Sequence, residues 1–156
     1  MTEKSGFDPL AMPETTRRPI PSASGPPFSA GGNRRLGDYA KLTNFGVNLT
    51  RLPPGAHSSA RHAHSRQDEF VYVLKGVVEL ETDAGVEILS AGFCAGFQAG
   101  TGNAHRFVNR SEEDVLLLVV GDRMAGDEVT YPEIDMHARM GADGKYKITR
   151  KDGTPY

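Results

Sequence analysis

This sequence has one cysteine among its 156 residues, no run of eighteen apolar residues, and no strong excess of either charge. Each scarcity excludes something. Cys94 has no partner for an internal disulfide, which agrees with a reducing compartment. Lying among Phe93, Ala95 and Phe97, it reads as a small buried core residue and not as a nucleophile. Without a long apolar run no helix is expected to span a bilayer. The opening Met1-Thr-Glu-Lys-Ser-Gly6 lacks the apolar core of a secretory signal, so the expectation is a cytoplasmic protein with no membrane partner. A net charge of −2 argues against a nucleic-acid partner. Missing too are a Gly-rich phosphate loop, a Ser-centred nucleophile elbow and an H-E-x-x-H helix, which sets nucleotide and peptide chemistry aside.

What is present suffices for one domain with a proper core, since 38% of the residues are hydrophobic. Residues 1–66 carry nine Lys/Arg against four Asp/Glu, and residues 67–156 nine against sixteen. That asymmetry is read as ordinary surface charge. Residues 1–35 hold most of the prolines, including Pro19-Ile-Pro21 and Pro26-Pro27, together with Gly31-Gly32. They are read as an arm that is extended unless it docks on something.

From residue 36 to 121 the pattern becomes that of a β-rich body. Phe45–Leu52 alternates apolar and polar residues until Pro53-Pro-Gly55 stops it. Further short runs are expected to be strands at Glu69–Leu74, Val77–Thr82, Val86–Leu89, Phe93–Phe97, Arg106–Asn109 and Val115–Val120, separated by Gly and Asp turns. Strands at this spacing, with no long amphipathic helix between them, predict an all-β sandwich or barrel. Residues 122–156 are polar and are expected to be an irregular tail packed on the outside.

Chemistry gathers at His62-x-His64-x4-Glu69, answered downstream by His105. His62 and His64 are two apart and share a face of an extended strand. Glu69 follows at an odd interval, so a turn through Ser65–Asp68 is expected, with Glu69 opening the next strand. Three imidazoles and one carboxylate make a full donor set for one divalent metal ion, with no thiolate to close the site. Around a dication they leave a net charge of +1 and open positions, suited to Fe, Mn, Ni or Co and tolerant of Zn. Val71, Val73, Phe97 and Phe107 are the expected lining of an apolar pocket for a small organic ligand. His57 is expected to be solvated, His137 to belong to the tail, and Phe70 and Tyr72 to join Val71 and Val73 in the core.

At this point the chain resembles the cupins, small jelly-roll barrels (double-stranded β-helices) with two sequence motifs. Gly55, His62, His64, Glu69 and Gly76 look like the first, with one extra residue between Gly55 and His62. Gly102, His105 and Asn109 look like the second, with Gly100 where proline is usual and Cys94 where the leading glycine would fall. The resemblance covers about residues 45–120 and implies the barrel and the metal site. It leaves the reaction open, because cupins include dioxygenases, decarboxylases, isomerases, cyclases and regulators. It is closest to small single-domain bacterial cupins and implies a homodimer, with the N-terminal arm as the exchanging element. Two readings of function follow: a metal-dependent enzyme that oxygenates, isomerises or cyclises a small metabolite, and a non-catalytic module that binds or senses one.

Overall fold

A computed structural model of the chain describes residues 5–16 and 31–155. The proline pairs of the expected arm lie outside these residues. The strands are β1 (Thr15–Thr16), β2 (Gly32–Arg35), β3 (Phe45–Leu52), β4 (Ala63–His64), β5 (Glu69–Lys75), β6 (Val77–Thr82), β7 (Gly85–Ser90), β8 (Cys94–Phe97), β9 (Arg106–Val108), β10 (Val115–Asp122), β11 (Glu128–Thr130), β12 (His137–Met140) and β13 (Tyr146–Thr149). A single helical turn, α1 (Leu36–Tyr39), joins β2 to β3. Among the described residues no helix is long and apolar enough to cross a membrane.

Three antiparallel sheets build the barrel. One has six strands in the order β1-β2-β3-β10-β5-β8, one has four in the order β13-β12-β11-β4, and one has three in the order β7-β6-β9. Their inward residues meet in one core of Leu52, Val71, Val73, Val78, Leu80, Leu89, Phe107, Val115 and Leu117. Alternation along each strand selects these positions. In β5, Val71 and Val73 are buried while Phe70, Tyr72 and Leu74 are exposed. Phe70 and Tyr72 are therefore not core residues.

Cys94 must be corrected on the same ground, because it is exposed. It pairs in register with Tyr72 and shares that residue's outward face, while Ala95 and Phe97 point towards the core. An apolar neighbourhood in sequence does not bury a strand residue whose parity points outward.

Two connections explain residues flagged in the motif. Gly76 lies between β5 and β6 with φ of 86°, where glycine is favoured, and a Cβ there would come within 3.0 Å of Val115. The fully buried Asn109 donates through Nδ2 to the carbonyls of Leu52 (2.8 Å) and Glu113 (2.7 Å) and accepts at Oδ1 from the Ser111 amide (2.9 Å). It ties the corner after β9 to the end of β3, so its place in the motif is structural.

The described residues at both ends form more regular structure than their composition suggested. The arm docks: β1 and β2 extend the six-stranded sheet beyond β3, and Glu14 packs over Gly32 to meet Arg34 and Arg51, each at 2.6 Å. The tail is not irregular. It supplies β11, β12 and β13, and β11 pairs with β4, so Val129 sits opposite His64. Short strands with mixed composition, such as His137–Met140, lack a strong period-two signal. Pairing with their neighbours makes them strands.

Candidate metal centre

His62 and His105 are set opposite each other by reciprocal backbone hydrogen bonds, His62 N to His105 O at 3.1 Å and His105 N to His62 O at 2.9 Å. Glu69 opens β5 after the expected turn and points inward with Val71 and Val73. The donor atoms of His62, Glu69 and His105 consequently lie within 4.8 Å of one another. Two metal ligands at about 2.1 Å and a right angle would stand about 3 Å apart. The 3.1 Å between His105 Nε2 and Glu69 Oε1 matches that spacing.

Ring orientation decides whether the imidazoles can ligate. His62 Nδ1 lies 3.0 Å from the Ala60 carbonyl, which can only accept, so this nitrogen carries the proton and Nε2 keeps a lone pair. Burial depresses the His62 pKa to about 4, against an upward pull from Glu69, and leaves the ring neutral at pH 7. For Glu69 burial pushes the pKa up. The hydrogen bond from His105 and the fields of His62, His105 and His64 outweigh it, and the net shift is downward. A neutral His62 with its lone pair on Nε2 and an ionised Glu69 are forms that a divalent cation binds, while His105, which donates to Glu69 through Nε2, would have to give up that proton to ligate. The His105 ring stacks on Phe97 with centroids 3.5 Å apart. Its buried Nδ1 has no hydrogen-bond partner among the described residues.

His64, the fourth expected ligand, stands outside the three-residue cluster, its ring centroid 5.2 Å from that of His62. Its Nδ1 is held at 2.6 Å by Asp127 Oδ2. That bond places the proton on Nδ1 and leaves Nε2 with the lone pair, as a metal-binding histidine requires. Asp127 is fully buried and accepts also from Tyr146 Oη (2.8 Å) and the Arg66 amide (2.8 Å). Burial alone would raise its pKa, but the bond from His64 and these further donors hold it below the usual carboxylate range. The reciprocal effect, with burial first and Asp127 next, pushes the Tyr146 hydroxyl well above its ordinary value.

The sequence reading missed Asp127 and Tyr146 because both belong to the segment read as irregular. A usable signal existed: Asp127 precedes the short run Glu128-Val-Thr130, just as Glu69 opens its own strand.

The surroundings differ from the expected apolar pocket. Val71, Val73 and Phe107 pack into the core, whereas Phe97 borders a cavity of about 10 Å3 together with His64, Glu69 and His105. That is room for about one water or ion. Gln67, Gln98, Thr101 and Asn103 complete its wall. On its other side Glu69 borders a polar cleft of about 680 Å3, with Asn33, Asn48, Arg35 and Arg123 among its walls. His57 is half-buried opposite Val108, and burial lowers its pKa, so it is not the solvated residue expected. His137 lies in β12, 3.4 Å from Glu128. Arg61 and Arg106 both pair with Glu133, and also with Asp83 and Glu81 respectively.

An all-β barrel with a histidine–carboxylate cluster against its inner wall defines a class of protein, and the comparisons agree. The family model of the cupin domain matches residues 48–121. A crystal structure of a sugar phosphate isomerase of the cupin superfamily from Silicibacter pomeroyi is 39% identical, superposes with a TM-score of 0.83, and is matched over 97% of this chain and 96% of that one. This chain belongs to the cupin superfamily. A protein from Acidithiobacillus ferrooxidans, provisionally assigned as a sugar phosphate isomerase, is 28% identical with a TM-score of 0.72 over 81% of this chain and 80% of that one. The polyketide cyclase RemF from Streptomyces resistomycificus shares the fold at 19% identity, with a TM-score of 0.62 over 78% and 80%. No curated protein matches the chain.

Proposed function

We propose that this chain is a metal-dependent enzyme of small-molecule metabolism and, among oxygenation, isomerisation and cyclisation, that it isomerises a phosphorylated sugar. The observation carrying this reading is the convergence of His62, Glu69 and His105 where a polar cleft reaches Glu69. It is supported by the 39% identity, over nearly the whole length of both chains, with a protein named for that activity.

His62 and His105 through Nε2, Glu69 through its carboxylate, and His64 through the Nε2 that Asp127 leaves unprotonated would hold one divalent ion, whether Fe, Mn, Ni, Co or Zn. Such an ion, when bound, polarises a carbonyl or hydroxyl oxygen. An aldose–ketose isomerisation moves one hydrogen between adjacent carbons and one proton between their oxygens, and needs no outside oxidant. The chain must bind the polyol, hold its reacting end near Glu69 and give a proton a place to go. The carboxamides of Asn33 and Asn48 along the cleft can both donate to and accept from sugar hydroxyls.

The test pairs metal analysis of untagged protein with an NMR assay of aldose–ketose exchange on a panel of pentose and hexose monophosphates. About one metal per chain and turnover, both lost in His62→Ala/His64→Ala, is the expected result. Turnover retained by the metal-free double variant would refute the mechanism, and ligand binding without turnover would favour the binding-module reading.

For assembly we propose a homodimer in which a second copy covers the outward face of β5 and β8. Phe70, Tyr72 and Leu74 project from β5 beside Cys94 and Phe93, and all five are exposed. None carries a charge, an unusual composition for a lone surface.

A further inference from the structure

The cleft beside Glu69 has a floor without side chains. Glu69 pairs in register with Gly121 of β10, and Gly121 pairs with Gly46 of β3. By alternation all three share the inward face with Val71, Val119 and Asn48. Neither glycine has a positive φ, so backbone conformation does not demand them. Packing does not demand them either. A Cβ on Gly46 would meet nothing nearer than the Gly121 carbonyl at 3.7 Å, and one on Gly121 would lie 3.4 Å from the Asp68 carbonyl. Both are ordinary contacts. What these two positions keep open is the cleft itself, where both glycines line the wall beside Glu69.

The far side of the same cleft carries cations. Asn48 pairs with Arg35 across β3 and β2, and the Arg123 guanidinium lies 3.8 Å from where a Gly46 Cβ would stand. Asp38 accepts a hydrogen bond from Arg123 and forms a looser ion pair with Arg35 at 3.7 Å. One carboxylate against two guanidiniums leaves one positive charge, and each guanidinium has five N–H donors, more than Asp38 can occupy. Asp122 also borders the cleft. By alternation its side chain lies on the outer face, where Oδ2 accepts from the Asp68 amide at 3.4 Å. From β5 to β2 is three strand spacings, roughly 14 Å, and the long arginine side chains span part of that distance.

We propose that Gly46 and Gly121 form the floor of a bay for a phosphorylated sugar, with its reacting end at Glu69 and its phosphate held by Arg35 and Arg123. This rests on the reading above for the reacting end, and it adds the subsite that selects the anionic substrate. The two arginines act as a phosphate fork, and the glycines set how much sugar fits between fork and reaction centre.

The experiment uses the protein as purified, with its metal content measured. Binding of pentose and hexose monophosphates, of their unphosphorylated parents and of inorganic phosphate is followed by calorimetry. At least one phosphosugar should bind on the order of tenfold more tightly than its parent. Arg35→Gln and Arg123→Gln should each erase that preference, and Gly46→Val should abolish sugar binding, with metal content and melting temperature unchanged in all three. Equal binding of phosphosugar and parent, or an unaffected Gly46→Val, overturns the inference. Stoichiometric metal without phosphosugar preference overturns it while leaving the metal-dependent reading intact. A preference in protein that holds no metal supports the bay and overturns the metal reading instead.

Discussion

At the scale of single residues, the candidate metal centre depends on which nitrogen of each ring carries the proton. For His64 that choice belongs to Asp127. In Asp127→Asn the new amide group could donate to Nδ1 and move the proton to Nε2, where it would block the lone pair a metal needs. Metal affinity should then fall by roughly 10- to 100-fold, measured by competition with a chromogenic chelator. A merely structural Asp127 would instead lower the melting temperature of Asp127→Asn and leave the affinity of the folded protein as it was. The ligand types were legible in the sequence because His62, His64, Glu69 and His105 sit at spacings that a strand–turn–strand can bring together. Asp127 was not, because a lone carboxylate 58 residues beyond Glu69 reveals nothing until the pairing of two short strands is known.

At the scale of elements, the arm is held by an ion cluster of Glu14, Arg34 and Arg51, with Asp114 also on Arg51 at 3.2 Å. Glu14 accepts from Arg34 and Arg51 and is about one-fifth exposed. The hydrogen bond from Arg51, against some burial, holds its pKa below the ordinary 4.5. A carboxylate with a depressed folded-state pKa adds stability that is complete above its unfolded pKa and is lost as pH falls through its folded one. The docking of β1 should therefore weaken below about pH 4.5. Glu14→Gln should remove that pH dependence and cost on the order of 1 kcal/mol. Protection factors of the β2 amides between pH 3 and 7, taken against intrinsic exchange at each pH, read both, and protection that is flat with pH in the unaltered chain would rule the clamp out. Elements with strong alternation were readable: Phe45–Leu52 and Val77–Thr82 match β3 and β6 end to end. Those whose strand character comes from their neighbours, β1, β2 and β11 to β13, were not. Parity was the signal left unused for Cys94, Phe70 and Tyr72, whose strands were recognised but whose facing was set by the core opposite.

At the scale of the whole molecule, the barrel hides its polar work and shows an apolar flank. The outward side of β5 and β8 presents Phe70, Tyr72, Leu74, Phe93 and Cys94 to solvent. If a second copy covers it, Phe70→Ser/Tyr72→Ser should shift the mass in light scattering from dimer to monomer and leave metal content unchanged. A monomeric unaltered protein would dispose of the homodimer. Deleting residues 1–35 is a poorer test than composition alone suggests, because it would remove β2 from the six-stranded sheet and strip the edge of β3.

The pairing of β11 with β4 also bears on synthesis. A ribosome delivers residues 48–121, which match the family model, with His62, His64, Glu69 and His105 already among them, before it reaches the three strands that pair beyond β4. The carboxylate that turns His64 and the tyrosine that steadies it arrive later, at positions 127 and 146. A nascent or prematurely terminated chain would thus hold the four candidate ligands while lacking both the strand that pairs with β4 and the carboxylate that orients His64. The full setting of the candidate centre is in this way completed only once residues 127 and 146 have been translated.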